Sequence, residues 1–205
     1  MNNILACITF HFIRPRLGYL LQTVNGLRAA GVGKIVVCTN AVALELDELK
    51  TACNAVNQVS VISIENLAHP YHLTMYHRAV FQHYCNTDDS ITHFLYSEDD
   101  HLFSQTNINY WFEAFDELRS VGDSGIPAWF RIEKRHADQS WVSVDYPADV
   151  PLEASRVTHS GRNFYLDSIR PYAGAYMLDR VLLQEFMHAP DYLQIPPPPN
   201  DASYY

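Results

Sequence analysis

The sequence is short of basic residues: 14 lysines and arginines stand against 23 aspartates and glutamates, a net charge of −9. Binding along a phosphate backbone needs clustered Lys and Arg, so a nucleic-acid groove is not expected. A charged small ligand would instead have to arrive with its own cation. Cysteine is equally sparse. Cys7, Cys38, Cys53 and Cys85 form no C-x-x-C pair, and Cys7 and Cys38 lie in apolar, strand-like runs. Buried thiols of this kind favour a reducing compartment. No apolar run reaches the roughly 18 residues that a membrane-spanning helix needs. Met1 to Phe12 has neither a basic segment before its apolar stretch nor a small-residue cleavage pattern, so no signal peptide is expected and the setting is read as cytoplasmic. Also missing are a G-x-S-x-G elbow, a G-x-x-x-x-G-K-[ST] phosphate loop and a G-x-G-x-x-G after the first strand. Their absence removes the commonest hydrolase, P-loop and dinucleotide-binding readings. No internal repeat is visible.

What is present is a chain of 205 residues with 48% hydrophobic content, enough to bury a core without disulfides or structural metal. One domain, 1–205, is expected. Ile4 to Phe12 reads as a buried strand. Leu17, Leu20, Leu21, Val24 and Leu27 follow at helical spacing until Gly31 and Gly33. Lys34 to Thr39 is a second strand, Val42, Leu46, Leu49 and Cys53 mark a helix, and Val59 to Ile64 alternates like a third strand. This β-α-β-α-β rhythm implies a parallel sheet with right-handed crossovers. Leu73 to Tyr84 is expected as one helix, His93 to Ser97 as the next strand, and Ile108 to Leu118 as a further helical stripe. Ala128 to Lys134 and Ala175 to Leu178 read as strands, the latter leading into a helix through Met187. Arg135 to Tyr172 has no clear period, which points to a functional loop or an irregular hairpin, with Trp141 to Val144 as one candidate strand. Pro196 to Pro199 make the tail from 190 rigid and extended.

The chemistry concentrates at His93-Phe94-Leu95-Tyr96-Ser97-Glu98-Asp99-Asp100, an apolar strand that runs into three consecutive carboxylates. Such an array repels itself unless a cation or strong solvation offsets it. Carboxylate oxygens suit Mn²⁺ or Mg²⁺, whose sites are completed by substrate phosphates and water. The carboxyl end of a strand in an open α/β sheet is also where ligands bind. The plain alternative is a solvated acidic turn capping the next helix. His69, His72 and His77 are close in sequence, but Pro70 interrupts helical geometry and no Cys or acidic partner stands at ligand spacing, so zinc is not expected there. His101 stands second in rank as a neighbour of the metal site, because along an extended chain its side chain points away from Asp100.

Phe94 to Phe103, FLYSEDDHLF, resembles the DxD or EDD segment of GT-A-type nucleotide-sugar glycosyltransferases. The order of elements before it resembles that fold too, so the likeness covers about the first 110 residues. The resemblance implies an α/β, GT-A-like architecture with a Rossmann-like, mostly parallel sheet flanked by helices. Residues 1–110 would be the nucleotide-binding half, 111–189 the acceptor-side half and 190–205 a Pro-rich tail. Asp100 with either Glu98 or Asp99 would hold Mn²⁺ or Mg²⁺ against the two phosphates of the donor, Glu98 and Asp100 being the pair taken as ligands. The remaining carboxylate would touch ribose or sugar hydroxyls.

The family sets base and ribose against the ends of the first and third strands, which makes Thr9, His11, Arg14 and Glu65 candidate nucleotide contacts. Arg78, or His77, would face the diphosphate. Pro171 to Tyr176 resembles the family's small-residue acceptor segment, in which Gly174 would let a sugar approach backbone. An inverting enzyme also needs a general base, for which Asp179 and Asp201 are the leading candidates beside Glu185 and Asp191. Asp179 could equally cap the last helix. The implied partners are a nucleotide-diphosphate sugar and a glycan or other hydroxyl acceptor. The rival functions are another metal-dependent nucleotidyl or phosphate enzyme, and a degenerate glycan-binding or scaffold domain.

Overall fold

A computed structural model describes residues 3–56, 59–129, 131–135, 137–143, 156–159, 161–165 and 174–195. The main sheet is built from β1 (Ile4–Phe10), β2 (Lys34–Thr39), β3 (Val59–Ser63), β4 (His93–Glu98) and β9 (Ala175–Asp179), in the order β3-β2-β1-β4-β9. The first four are parallel and β9 runs antiparallel to β4. All seven residues of β1 are buried, as a central strand covered on both faces requires, whereas edge strand β3 is half-exposed. The helices are α1 (Leu17–Ala29), α2 (Ala43–Asn54), α3 (His77–Thr87), α4 (Gln105–Ser120) and α5 (Arg180–Met187).

Alternation along β4 shows how the sheet is covered. Phe94 and Tyr96 meet Phe81 and His77 of α3, whereas His93 meets Trp111 and Phe112 of α4. Successive side chains of a strand point to opposite faces, so helices lie on both sides. This is the α/β, mostly parallel, Rossmann-like sheet flanked by helices that the resemblance implied. None of the described helices is long and apolar enough to cross a membrane. All four cysteines are buried and free.

Two expectations need correction. The segment from Leu73 is not one helix: Pro70–Met75 forms a 3-10 turn, and α3 starts only at His77. Proline at the first turn starts the 3-10 segment, and Leu73 of that segment and His77 of α3 are both buried, in separate elements. The strand expected from Ala128 is only β5 (Ile132–Lys134), which pairs with β6 (Trp141–Ser143) in a hairpin outside the main sheet. The long irregular stretch also contains β7 (Arg156–His159) and β8 (Arg162–Tyr165), a second antiparallel pair. Val144, the first half of the Pro171 to Tyr176 segment (171–173) and the Pro196 to Pro199 tail lie outside the described residues.

Candidate functional site

β4 carries the chain to the carboxyl edge of the sheet and ends at Glu98, where Asp99 and Asp100 turn it away from the strand. The turn breaks the alternation on which His101 was expected to point away from Asp100. Glu98, Asp100 and His101 each bring one ligand atom within 4.8 Å of the others. Asp99 goes the opposite way. It is buried, and Arg16 grips it with a fork: Nε donates to Oδ2 and Nη2 to Oδ1, both at 3.0 Å. Arg16 Nη2 also reaches Asp100 Oδ2 at 3.2 Å.

Helix α1 holds this loop at two more points. Thr23 Oγ1 donates to the Asp99 carbonyl at 2.8 Å. At Gly26 the helix lies so close to the loop that a Cβ would stand 2.7 Å from the Phe103 carbonyl oxygen. Burial pushes the Asp99 carboxyl up to about 6, with Asp100 adding to the rise and Arg16 opposing it. A buried carboxylate is tolerable here because a bidentate guanidinium and local backbone satisfy it.

The cluster is also shaped from the other side. Glu98 N–H donates to the Gly174 carbonyl at 2.9 Å, and the bare α-carbon of Gly174 faces His101. A Cβ there would overlap His101 Cε1 and stand 3.0 Å from its Nε2 and 3.4 Å from Glu98 Oε2. Glycine therefore leaves the space in which the imidazole and the carboxylate converge. Two carboxylates and one imidazole form a donor set that fits Mn²⁺ well and Mg²⁺ through the oxygens. The residues present fit the cation that the resemblance implies.

Beside this cluster, at the carboxyl ends of β1, β2 and β3, lies a cleft of about 370 Å³. That is within the size range of small-molecule sites. His11, Asn40, Glu65 and Asn66 give it polar edges, and Val42, Ile64 and Leu67 give it apolar walls. Asn40 Oδ1 accepts from Phe12 N–H at 2.7 Å, which turns its amide nitrogen toward His11 Nε2 at 3.3 Å. His11 then accepts at Nε2 and carries its proton on Nδ1. Burial, followed by the nearby charge of Arg16, lowers the His11 pKa. Asn66 of the cleft has left-handed backbone, which asparagine adopts readily, and so does Ala43 next to the lining residue Val42, at φ 48, which alanine does not.

The structure thus brings together His11 and Glu65 at the cleft and Glu98 and Asp100 at the cluster, while Asp99 is held against Arg16. It does not bring Arg14, Arg78 or Asp179 to either place, and Thr9 stands beside Glu98 in the pairing of β1 with β4. Thr9 is buried, with Oγ1 3.1 Å from the Tyr96 hydroxyl. Arg14 is exposed and forks onto Glu48 at 2.8 Å. Arg78 donates to the Tyr192 carbonyl at 3.1 Å, and Tyr192 OH returns a bond to the Arg78 carbonyl. His77 is buried, bonded through Nδ1 to the Thr74 carbonyl and through Nε2 to Tyr176 OH. Asp179 caps α5 by accepting from Leu182 N–H at 2.7 Å, and it pairs with His93, at the opposite end of β4 from Glu98. Glu185 and Asp191 are exposed near the chain's last described turn, and Asp201 lies outside the described residues.

Arg16 and Asn40 were not singled out by the sequence reading, and His101 was ranked second. Asn40 carries a signal, because it follows directly on β2 at the ligand-binding edge. Nothing local distinguishes Arg16 from Arg14, since which of them reaches Asp99 depends on the orientation of a 3-10 turn, Arg14–Arg16.

No family model matches the chain, and no curated protein is similar to it in sequence. Among solved structures, the chain is similar to a crystal structure of 4-diphosphocytidyl-2C-methyl-D-erythritol synthase at 14% identity and a TM-score of 0.48, covering 94% of this chain and 82% of that one. It is also similar to a structure of S. aureus TarS 1–349 at 10% identity and a TM-score of 0.38, covering 61% of this chain and 38% of that one.

Proposed function

We propose that the protein is a metal-dependent transferase that moves a sugar from a nucleotide-diphosphate sugar to the hydroxyl of a glycan or another acceptor. The observation that carries this reading is the convergence of Glu98, Asp100 and His101 at the end of β4, next to a nucleoside-sized cleft across β1 to β3. Glu98, Asp100 and His101 would hold the cation, which when bound would supply positive charge to offset that of the leaving diphosphate. His11, Asn40 and Glu65 orient the nucleoside by hydrogen bonds, and Val42, Ile64 and Leu67 cover its apolar surface.

A nucleotidyl or other phosphate enzyme is the second reading. It needs the same metal and nucleotide but no acceptor-activating carboxylate, and Asp179 stands at the far end of the sheet as a helix cap. Thermal unfolding with uridine or guanosine diphosphate, in Mn²⁺ and in chelator, tests what the two readings share. A ligand at about 100 times its Kd stabilises by about 2.7 kcal/mol, equivalent to about 5–11 °C for a chain of this size. Equal shifts in chelator would contradict both. The product then separates them: release of nucleoside diphosphate from a nucleotide sugar marks glycosyl transfer, and release of pyrophosphate from a nucleoside triphosphate marks nucleotidyl transfer.

A further inference from the structure

Arg16 contacts the metal cluster, and its charge is felt at His11 in the cleft. Its charge depresses the basicity of His11 in the cleft, and its guanidinium contacts Asp99 and Asp100 in the loop. The two carboxylates differ in kind. The Asp99 side chain is 9% exposed and is held by two bonds of 3.0 Å, whereas that of Asp100 is 36% exposed and takes one bond of 3.2 Å. Nη2 is shared between them, and Nη1 has no hydrogen-bond partner among the described residues. A fork onto a buried acid is a permanent strut, because releasing it would leave a buried charge uncompensated. A single bond onto a half-exposed acid is readily exchanged.

Asp100 is therefore contested. The same carboxylate that converges with Glu98 and His101 is covered on one oxygen by a guanidinium, and a divalent cation and Nη2 repel each other there. We propose that Arg16 is a positioning residue that couples metal entry to anion binding, a proposal that rests on the metal reading given above. Its fork keeps Asp99 out of the metal shell throughout. Its contact with Asp100 yields when the cation enters, and the freed Nη edge then faces the diphosphate lying between cation and cleft. Arginine suits this task because a planar fork can hold one carboxylate with Nε and one Nη while its other edge binds phosphate.

The test is Arg16→Gln, titrated first with Mn²⁺ alone and then with uridine diphosphate at saturating Mn²⁺. Removing a cation that competes for Asp100 is expected to tighten Mn²⁺ binding by about two- to five-fold, the worth of a partly exposed ion pair. Removing a charged donor from the diphosphate is expected to weaken nucleotide binding roughly ten-fold. A purely structural strut would weaken both, so parallel losses overturn the proposal, as do two unchanged affinities. Failure of the wild-type protein to bind Mn²⁺ is a different result, since it removes the metal reading itself.

If Arg16→Gln does not fold, the wild-type protein gives the answer through its arginine side-chain nitrogen resonances under Mg²⁺ titration. The Arg16 Nε–H signal is expected to stay in place while the Nη signals move. Movement of both, or of neither, at Mg²⁺ saturation overturns the coupling.

Discussion

Replacing Gly174 by alanine should damage the metal cluster without replacing any of its ligands. The added methyl would overlap His101 Cε1, with Nε2 at 3.0 Å and Glu98 Oε2 at 3.4 Å. His101 is only 9% exposed, so the ring has little room to swing, and the strand cannot retreat easily because Glu98 N–H is bonded to the Gly174 carbonyl. Overpacking of this kind costs about 1–3 kcal/mol. At about 2–4 °C per kcal/mol for a chain of this length, the melting temperature should fall by about 2–12 °C. Displacing the imidazole should also weaken Mn²⁺ binding.

The cause is isolated by repeating the substitution in a His101→Ala background, where the colliding ring is gone. There the Gly174→Ala penalty should shrink by more than about 0.5 kcal/mol, beyond the scatter of independent sites. If the penalty is the same in both backgrounds, the contact between Gly174 and His101 is not what shapes this site.

Two further outcomes follow from the surrounding structure. Asp179→Ala removes the cap on α5 and should cost about 0.5–2 kcal/mol in denaturant unfolding, while Mn²⁺ affinity stays unchanged because Asp179 is at the other end of β4; a loss of Mn²⁺ binding at unchanged stability would contradict this placement. Burial lowers the His77 pKa from 6.5 to about 3, so the unfolded chain binds a proton that the folded chain refuses, and stability falls as pH drops below about 6.5. Asp99, raised to about 6, acts in the opposite direction between its ordinary 3.8 and that value, so the His77 contribution is read as a difference. The destabilisation of His77→Gln relative to wild type should shrink by about 2 kcal/mol between pH 7 and pH 5. A difference that does not vary with pH would show that His77 takes up a proton in the folded protein as readily as in the unfolded chain.

The sheet was legible because its strands are coded twice, by composition and by spacing. Ile4 to Phe10 is apolar on both faces and β1 is buried throughout, and the helical stripe from Leu17 to Leu27 ends where the two glycines stop it. The start of α3 was less legible, because a 3-10 turn after Pro70 and a following α-helix share one apolar stripe. At the site, the position of Glu98 to Asp100 followed from an apolar strand ending in acids. The direction of each side chain did not, because the chain leaves the strand at Glu98 and the period of two no longer holds. The pairing of Arg16 with Asp99 spans 83 residues and is set by how α1 packs on the loop, which no local pattern encodes.

The central claim is that Glu98, Asp100 and His101 together hold a divalent cation, and it is tested most directly by titrating the protein into Mn²⁺ while following the electron-spin-resonance signal of the free ion. Wild-type protein should remove one equivalent of the signal, and Asp100→Ala and His101→Ala should each bind more weakly while retaining a cooperative melt. The Asp100 change should alter the melting temperature little, because that side chain is partly exposed and makes one bond to Arg16. No loss of free-ion signal with folded wild-type protein, or the same loss with all three proteins, would contradict the metal site.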